Sequence, residues 1–385
     1  MPVTMDVFPF HTFVPVRFAR AEGGPLRPDA PEVDDRGHAG PEPDGAVGAT
    51  EGDVVKVGVV RQSLEAVPSS KLCVVSMHPE TVAVQAPPHG ILPPAPEGVF
   101  QLRAGRGGEG IESRRAWVEV RAGASLGPVI ARLAVHVFRP LSLRLALHPV
   151  RVKGVGGEGA SAADLKLVLG FVRAIWRPCG ISVLAGATRP DEAVFARAGT
   201  VQDGPWSAAQ GLRNTEIDRL LGTGRVPEAV NVYFVRRLGS GAGLAGFTRR
   251  AAEAFKLCNP GIVVAETDAG GKDRDPYAIA NDIAHEVGHF LGLEHPDRRS
   301  APREREDAWS RRRLMHPCQP LLGREPWPRK DAAERPFAER PQSDDAGYGP
   351  GMRGALLALR SVPGLSTEDE CLRARRALVQ PGGVY

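Results

Sequence analysis

The chain has 385 residues, of which 42% are apolar and 24% are charged, and its formal net charge at pH 7 is +4. This length allows two domains of ordinary size. The nearly balanced charge, with arginines scattered along the chain, argues against nucleic-acid binding, and no apolar run approaches a membrane span. The 45 glycines and 35 prolines favour turn-rich β structure over a helical bundle.

The first fifty residues contain one predicted strand and one predicted loop. Residues 1–20 alternate enough to form a strand, whereas residues 21–53 are rich in Gly, Pro, Asp and Glu and predict a long solvated loop. The N-terminus lacks the basic start, apolar core and small-residue cleavage site of a secretory signal. We therefore expect a protein that is either cytoplasmic or exported by a dedicated secretion system.

Short strand-like segments separated by turn residues follow. They are 54–60, 72–76, 81–85, 99–103, 116–121 and 129–138. Evenly spaced short strands with period-two alternation predict an N-terminal antiparallel β-sandwich over residues 1–140. The segment resembles a bacterial immunoglobulin-like (Ig-like) domain, although no residue motif carries that resemblance. Its histidines, His78, His89 and His136, are predicted to be surface or packing residues and not ligands.

The second predicted domain, residues 141–385, mixes strands and helices. A strand over 141–152 is followed by a helix that Ser161 and Asp164 can cap. The further strands are predicted at 180–184, 230–235, 244–248 and 262–266. Asp275 can cap the next helix, with Pro276 in its first turn. The apolar stripe of that helix, predicted to face the core, consists of Ile279, Ile283, Val287 and Phe290.

Residues 285–295 read HEVGHFLGLEH and carry the chemistry of the chain. His285 and His289 lie one helical turn apart on the same face, so both imidazoles can reach one ion. Glu286 lies beside them, where a general base for a water molecule is needed. Gly292 can end the helix and reverse the chain, which allows His295 to approach as a third ligand. Three imidazoles with an open fourth position suit Zn²⁺.

This stretch resembles the long zinc motif of the metzincin clan of metallopeptidases, HExxHxxGxxH followed by a Met-turn, and it matches all five defining positions. Met315, within the residues LMHP at 314–317, is the Met-turn candidate. The resemblance implies an α+β fold: a sandwich followed by a catalytic domain with a mixed twisted sheet, an active-site helix, the Met-turn and a C-terminal helix. It also implies a zinc-dependent endopeptidase that hydrolyses peptide or protein substrates with a metal-activated water and Glu286 as general base.

The same resemblance implies where the substrate binds. The strand around 244–248 becomes the sheet edge above the cleft, so Leu244, Ala245 and Gly246 are expected to pair with an extended peptide. His316 is a further candidate for substrate contact. A charged, proline-rich insertion at about 319–350 either walls the cleft, as the resemblance implies, or is a solvated loop without a function of its own. A helix capped by Ser366 is expected to end the domain.

Five cysteines are present, an odd and low number that declares no disulfide framework. A pair among Cys258, Cys318 and Cys371 is one option in an oxidising compartment, and buried free thiols are favoured. Residues 177–180, RPCG, are similar to the cysteine-switch motif of matrix metalloproteinases. They lie inside the predicted catalytic domain and not upstream of it, so Cys179 is interpreted as an ordinary thiol.

The match to known metzincin families is incomplete. His295 is followed by Pro296, as in the serralysin group, but the calcium-binding repeats of that group are absent. Pro317 occupies the place, two residues after Met315, where some families carry a tyrosine ligand. Two alternatives stay open. One is a secreted effector or toxin whose residues 1–140 dock it to a secretion component or a target protein, and the other is a zinc-binding pseudoenzyme, disfavoured because Glu286 is present.

Overall fold

The computed structural model describes the greater part of the chain. The described residues are 16–20, 45–61, 71–92, 97–152, 162–186, 191–193, 200–201, 215–238, 246–249, 259–267, 273–274, 276–293, 314 and 370–379. Within these residues the fold is mixed α/β, with strands dominating and few helices. Among the helices of this part of the chain, none is both long and apolar enough to cross a membrane.

Nine strands build two N-terminal sheets. They are β1 (Val16–Arg20), β2 (Gly45–Thr50), β3 (Val54–Arg61), β4 (Leu72–Ser76), β5 (Val82–Ala86), β6 (Ile91–Leu92), β7 (Glu97–Ala104), β8 (Ser113–Ala122) and β9 (Val129–Phe138). One sheet has the order β1-β3-β7-β5 and the other β2-β9-β8-β4-β6. Inward-facing residues of both sheets, such as Val57 and Phe100 on one and Val118 and Leu133 on the other, share one apolar core.

Two sequence predictions for this region were wrong in part. Residues 45–50 lie inside the predicted loop, yet they form β2, because their small side chains fit against β9 and the backbone pairing itself holds them there. β2 runs parallel to β9, so the N-terminal sheets are not purely antiparallel. The six strands predicted between 54 and 138 are confirmed, with ends that differ by a few residues at most.

Most of the later strands form a third large sheet. The strands are β10 (Leu141–Val152), β11 (Ile181–Ala185), β12 (Asp191–Ala193), β13 (Thr200–Val201), β14 (Val230–Val235), β15 (Arg237–Leu238), β16 (Gly246–Arg249) and β17 (Gly261–Ala265). The sheet order is β11-β10-β14-β17-β16, in which only β16 is antiparallel to its neighbour, while β12 pairs with β10 and β13 pairs with β15. All six residues of β14 are buried, as expected for a central parallel strand.

Four α-helices flank or follow this sheet in the described residues. They are α1 (Ala162–Trp176), α2 (Thr215–Gly222), α3 (Pro276–Phe290) and α4 (Glu370–Val379). α1 and α3 pack on one face, where their apolar residues join those of β10, β14 and β17. α2, which the sequence analysis did not identify, covers the opposite face, where Ile217 and Leu221 pack with Tyr233 and Val263.

The second core extends into the N-terminal sheets. Ala134 and Phe138 of β9 are buried in the same apolar cluster as α1, α3 and α4. The turn after β2 adds polar contacts: the Thr50 hydroxyl donates to the Arg177 carbonyl at 2.8 Å, and Asp53 accepts two hydrogen bonds from the Arg177 guanidinium at 2.5 and 2.6 Å. The two parts of the molecule are therefore joined by packing as well as by the chain.

A disulfide joins Cys179 to Cys371, 192 residues apart in sequence. The interpretation of Cys179 as an ordinary thiol was therefore wrong, because α4 returns to the 3₁₀ turn over Arg177–Cys179 and brings Cys371 against it. Cys73 is a buried free thiol, as favoured by the sequence. Cys258 and Cys318 lie outside the described residues.

Candidate metal centre

α3 carries the two histidines of the motif, and its sequence explains why it takes this position. Its apolar stripe recurs at helical spacing and is buried in the core against the third large sheet; it consists of Ile279, Ile283, Val287 and Phe290. Burying this stripe fixes the rotation of the helix about its axis. The adjacent face, which bears His285 and His289, is thereby held in one orientation.

His285 and His289 are each anchored to a backbone carbonyl through Nδ1. His285 Nδ1 donates to the carbonyl of Leu314 at 2.6 Å, and His289 Nδ1 donates to the carbonyl of Leu293 at 2.9 Å. A carbonyl oxygen only accepts, so Nδ1 carries the proton in both rings and Nε2 carries the lone pair. Metal-binding histidines are typically fixed in this way by a partner on the ring nitrogen that does not bind the metal.

The relative placement of the two rings fits a shared ion. Their centroids are 4.6 Å apart and their planes are perpendicular. Two imidazoles bound to one tetrahedral zinc ion at about 2.1 Å have centroids roughly 5 Å apart. His285 is only 2% exposed, so its lone pair lies within the protein and not in bulk water. The protonation of both rings at Nδ1 and the distance between their centroids are therefore compatible with two ligands of one zinc ion.

The end of α3 forms a complete Schellman turn around Gly292. The Leu293 N–H donates to the Gly288 carbonyl at 2.8 Å, and the Gly292 N–H donates to the His289 carbonyl at 2.9 Å. Gly292 has φ of 81°, a left-handed conformation that glycine adopts without a steric penalty. This turn confirms the predicted helix end, and it also brings the Leu293 carbonyl back to His289.

Glu286 follows His285 on α3 and is 8% exposed. A second buried carboxylate, Asp282, lies one turn before it and forms an ion pair with Arg274. Arg274 also donates to the carbonyls of Ala265, at 2.9 Å through Nη1, and Glu266, at 2.8 Å through its backbone N–H. This pair fastens the first half of α3 to the end of β17. The sequence analysis missed it, although a charged residue on the ligand face one turn before Glu286 was a visible signal.

The remaining predicted site residues are only partly covered by the described structure. His295, Met315, His316, Leu244 and Ala245 lie outside the described residues, so their roles stay predictions. Gly246 begins β16, the strand at the end of the sheet order, as predicted for a cleft edge. Leu314, which precedes the predicted Met-turn, is fully buried and supplies the carbonyl that holds His285.

Histidines elsewhere in the described residues take packing or hydrogen-bonding roles. His136 shares a 3.0 Å hydrogen bond with the Ser113 hydroxyl, and His78 Nδ1 accepts the Trp117 N–H at 3.3 Å, in agreement with the sequence prediction. His148 is stacked on Tyr233 and bonded to the Asn231 side-chain oxygen at 2.8 Å. Within the described ranges, no three or more His, Cys, Asp or Glu side chains are grouped as a metal site would require.

Comparison with known proteins gives one partial similarity. No model of a protein family matches the chain. A stretch of 68 residues is 35% identical to "Extracellular metalloprotease 1" of Coccidioides posadasii (strain C735). The match covers 17% of this chain and 25% of the fungal protein, so the chain spans about a quarter of the length of the curated relative it matches. The chain is thus similar, over a short part, to a metalloprotease.

Proposed function

We propose that the chain is a zinc-dependent endopeptidase with a metzincin-like catalytic region. The observation that carries the proposal is the pair of carbonyl-anchored histidines on α3, which present Nε2 lone pairs from rings 4.6 Å apart. The partial similarity to an extracellular metalloprotease supports the same reaction class. In the third large sheet three neighbouring pairs of strands are parallel and the edge strand β16 is antiparallel to β17, which α3 follows in the chain. This order supports the metzincin-like arrangement.

The residues of the chain divide the work as follows. His285, His289 and His295 hold the ion, which when bound supplies a Lewis acid for peptide hydrolysis. Glu286 takes a proton from the attacking water and passes it to the leaving amine nitrogen. Glu286 is buried, so bulk water competes little for its carboxylate.

The edge strand β16 supplies a surface for the substrate. It pairs with β17 on one side, and among the described strands it ends the sheet. An extended peptide adds to such an edge by backbone hydrogen bonds, which bind many sequences with little selectivity. Peptide binding along Leu244, Ala245 and Gly246, with His316 nearby, is therefore part of the proposal.

The site of action is proposed from the cysteines. A disulfide between Cys179 and Cys371 persists in oxidising environments and is rare in reducing ones. The matched fungal protein is described as extracellular. We therefore favour export over a cytoplasmic location, and we keep docking of the N-terminal sheets to a secretion component or target protein as a proposed role.

The test combines metal analysis with digestion of an unfolded protein, with and without chelator. We expect the purified parent to hold about one zinc ion, and the chelator to abolish digestion. Glu286→Gln keeps the zinc and loses about 10²- to 10⁴-fold in kcat, because it cannot take the proton. The control is Glu109→Gln, whose side chain is 84% exposed. Equal digestion by parent and Glu286→Gln would refute the general-base assignment.

A further inference from the structure

α4 is joined to the rest of the molecule by two buried residues one helical turn apart. Cys371 forms the disulfide with Cys179, and both cysteines are fully buried. Arg375, four residues later, is also fully buried. Both side chains therefore leave the same face of the helix. This face of α4, defined by Cys371 and Arg375, is here named the latch.

Arg375 connects α4 to both parts of the molecule. Nε donates to the Ile111 carbonyl at 2.8 Å and Nη2 to the Gly110 carbonyl at 3.0 Å, both in the loop between β7 and β8. Nη1 donates to the carbonyls of Cys179 and Gly180 at 3.1 and 3.0 Å, at the turn before β11. The guanidinium also lies 4.9 Å from the centroid of the Phe138 ring.

The apolar surface of α4 is small. Its buried apolar residues are Cys371 and Ala374, and Ala377 and Leu378 are partly buried against the same core. Burial lowers the pKa of Arg375 to about 10, against the opposing effect of the Glu112 carboxylate, so a charged group is buried at pH 7. Docking this charge costs free energy, and the covalent bond beside it offsets that cost by keeping α4 close.

The latch belongs to the same apolar cluster as the residues that anchor the histidines. Cys371 and Ala374 share this cluster with Leu293 and Leu314. The carbonyls of those two leucines fix the rings of His289 and His285. α4 packs mainly against β10 and the 3₁₀ turn over Arg177–Cys179, so its loosening would reach the two carbonyls through this core and not by direct contact. Complete loss of a partner that orients a metal ligand costs about 10- to 100-fold in metal affinity, which sets the upper limit of the effect.

We propose that formation of the Cys179–Cys371 disulfide closes the latch as a maturation step. In the thiol form of the chain α4 is undocked and zinc binds weakly. Oxidation docks α4 and completes the metal centre. The inference rests on the proposed zinc function. In the oxidation, one cysteine thiolate of the chain attacks a small-molecule or oxidoreductase disulfide, which forms a mixed disulfide and releases one thiolate of the oxidant. The second cysteine thiolate then attacks the chain's sulfur in the mixed disulfide, which forms the Cys179–Cys371 bond and releases the second thiolate of the oxidant. The chain loses two electrons and two protons, and the oxidant leaves as two thiols.

Because both sulfur atoms are buried, the disulfide is expected to form more readily than it is reduced. Thiol–disulfide exchange requires the attacking sulfur to reach the bond, and both cysteines are inaccessible when α4 is docked. The docked form therefore resists reductant, whereas the undocked form is open to the oxidant. A chain made under reducing conditions would acquire its full zinc affinity on reaching an oxidising compartment.

The experiment compares the full-length parent, oxidised, with the double variant Cys179→Ser/Cys371→Ser. Cys73→Ser, which replaces a buried free thiol in the N-terminal sheets, is the matched control. Hydrogen exchange of the α4 amides reports docking, and competition with a chelator reports zinc affinity. We expect the double variant to lose at least about tenfold in α4 protection and about tenfold in zinc affinity, and the control to match the parent.

A second comparison covers the case in which the double variant does not fold. The parent is unfolded, reduced, and refolded either with dithiothreitol or with oxidised glutathione, and the same two measurements are made. Equal α4 protection and equal zinc affinity in the two forms would overturn the latch. Loss of hydrogen-exchange protection throughout all three large sheets in the reduced form would also overturn it, because the latch confines the change to α4 and its contacts. An oxidised parent that binds no zinc would instead refute the proposed function, while α4 protection would still decide the docking step.

Discussion

The two parts of the molecule differ in what they bury. In the N-terminal sheets the buried polar residues of the described chain are Thr50, Thr81, Glu119 and His136. From β10 onward they are His148, Asn231, Thr267, Arg274, Asn281, Asp282, His285, Glu286, Glu370 and Arg375. Burying polar groups costs free energy, so such a concentration marks the part of the fold in which those groups do chemistry or dock other segments.

The partners of these groups differ as well. Glu119 of β8 is neutralised by Arg121 and Arg132, an arrangement that satisfies charge and presents nothing to a ligand. The histidines of α3 are held by backbone carbonyls at Nδ1, which leaves the Nε2 lone pair of each ring for a ligand. The N-terminal sheets thus bury a carboxylate beside two counter-charges, whereas α3 holds two imidazoles whose Nε2 lone pairs are left for the proposed zinc ion.

The largest effect is expected when one histidine in each part is substituted by alanine. His289→Ala should weaken zinc binding by at least about 10³-fold, or about 4 kcal/mol, because a metal ligand is worth more than the groups that merely orient it. His136→Ala, a buried histidine bonded to Ser113, should leave zinc binding unchanged. Zinc competition titrations on both purified variants check this, and stoichiometric zinc in His289→Ala would contradict it.

A second test asks whether the two parts unfold together. Phe138→Ala should lower the free energy of unfolding by about 3 to 5 kcal/mol, because the ring is fully buried in the second core although it lies on β9. Phe100→Ala, equally buried in the first core, is the matched variant. Urea denaturation should give one transition that both substitutions shift. Two transitions, each moved by only one variant, would show that the parts are independent.

A third test compares two ion pairs. Arg274→Gln should lower the free energy of unfolding by about 3 kcal/mol, because it removes the positive charge that compensates buried Asp282. Arg132→Gln, at a side chain that is 49% exposed, should change it by about 0 to 1 kcal/mol, because Arg121 still compensates Glu119. Equal destabilisation in denaturant titrations would remove the distinction between a fully buried pair and a partly exposed one.

The smallest effect is expected at two glycines with positive φ. Gly292→Ala and Gly123→Ala should each lower the free energy of unfolding by about 1 kcal/mol, since φ is 81° and 75° respectively. Only Gly292→Ala should also weaken zinc binding, because the turn at Gly292 supplies the Leu293 carbonyl to His289. Calorimetry and zinc titration separate the two consequences, and identical zinc affinity in both variants would argue against that link.

The sequence predicted what local pattern determines. The period-two segments between 54 and 138, the strand over Leu141–Val152 and the stripe on α3 are all present, because alternation and helical spacing directly report the buried face. β2 was missed because GAVGAT has small residues without a strong alternation, and its pairing with β9 is a long-range contact. α2 was missed because eight residues with several charges give a weak helical signal.

Contacts between residues far apart in the sequence could not be predicted from it. HExxH at 285–289 predicted that two histidines lie one turn apart on a helix, and α3 confirms this placement. The roles of these histidines as zinc ligands and of Glu286 as general base stay predictions. The motif could not show that Leu314 and Leu293 supply the anchoring carbonyls, because any backbone can do so. It also could not pair Cys179 with Cys371 across 192 residues, or bring Arg375 to the carbonyls of two distant loops, since neither contact has a local signature.

The cluster that runs from Phe138 into α4 bears on how such a molecule changes over evolutionary time. An unrelated domain that replaced the N-terminal sheets by recombination would have to supply an aromatic ring in place of Phe138 and a loop whose carbonyls accept hydrogen bonds from Arg375. A randomly chosen domain would lack both. We therefore expect the N-terminal sheets and the second part of the protein to be inherited together and not exchanged as separate domains.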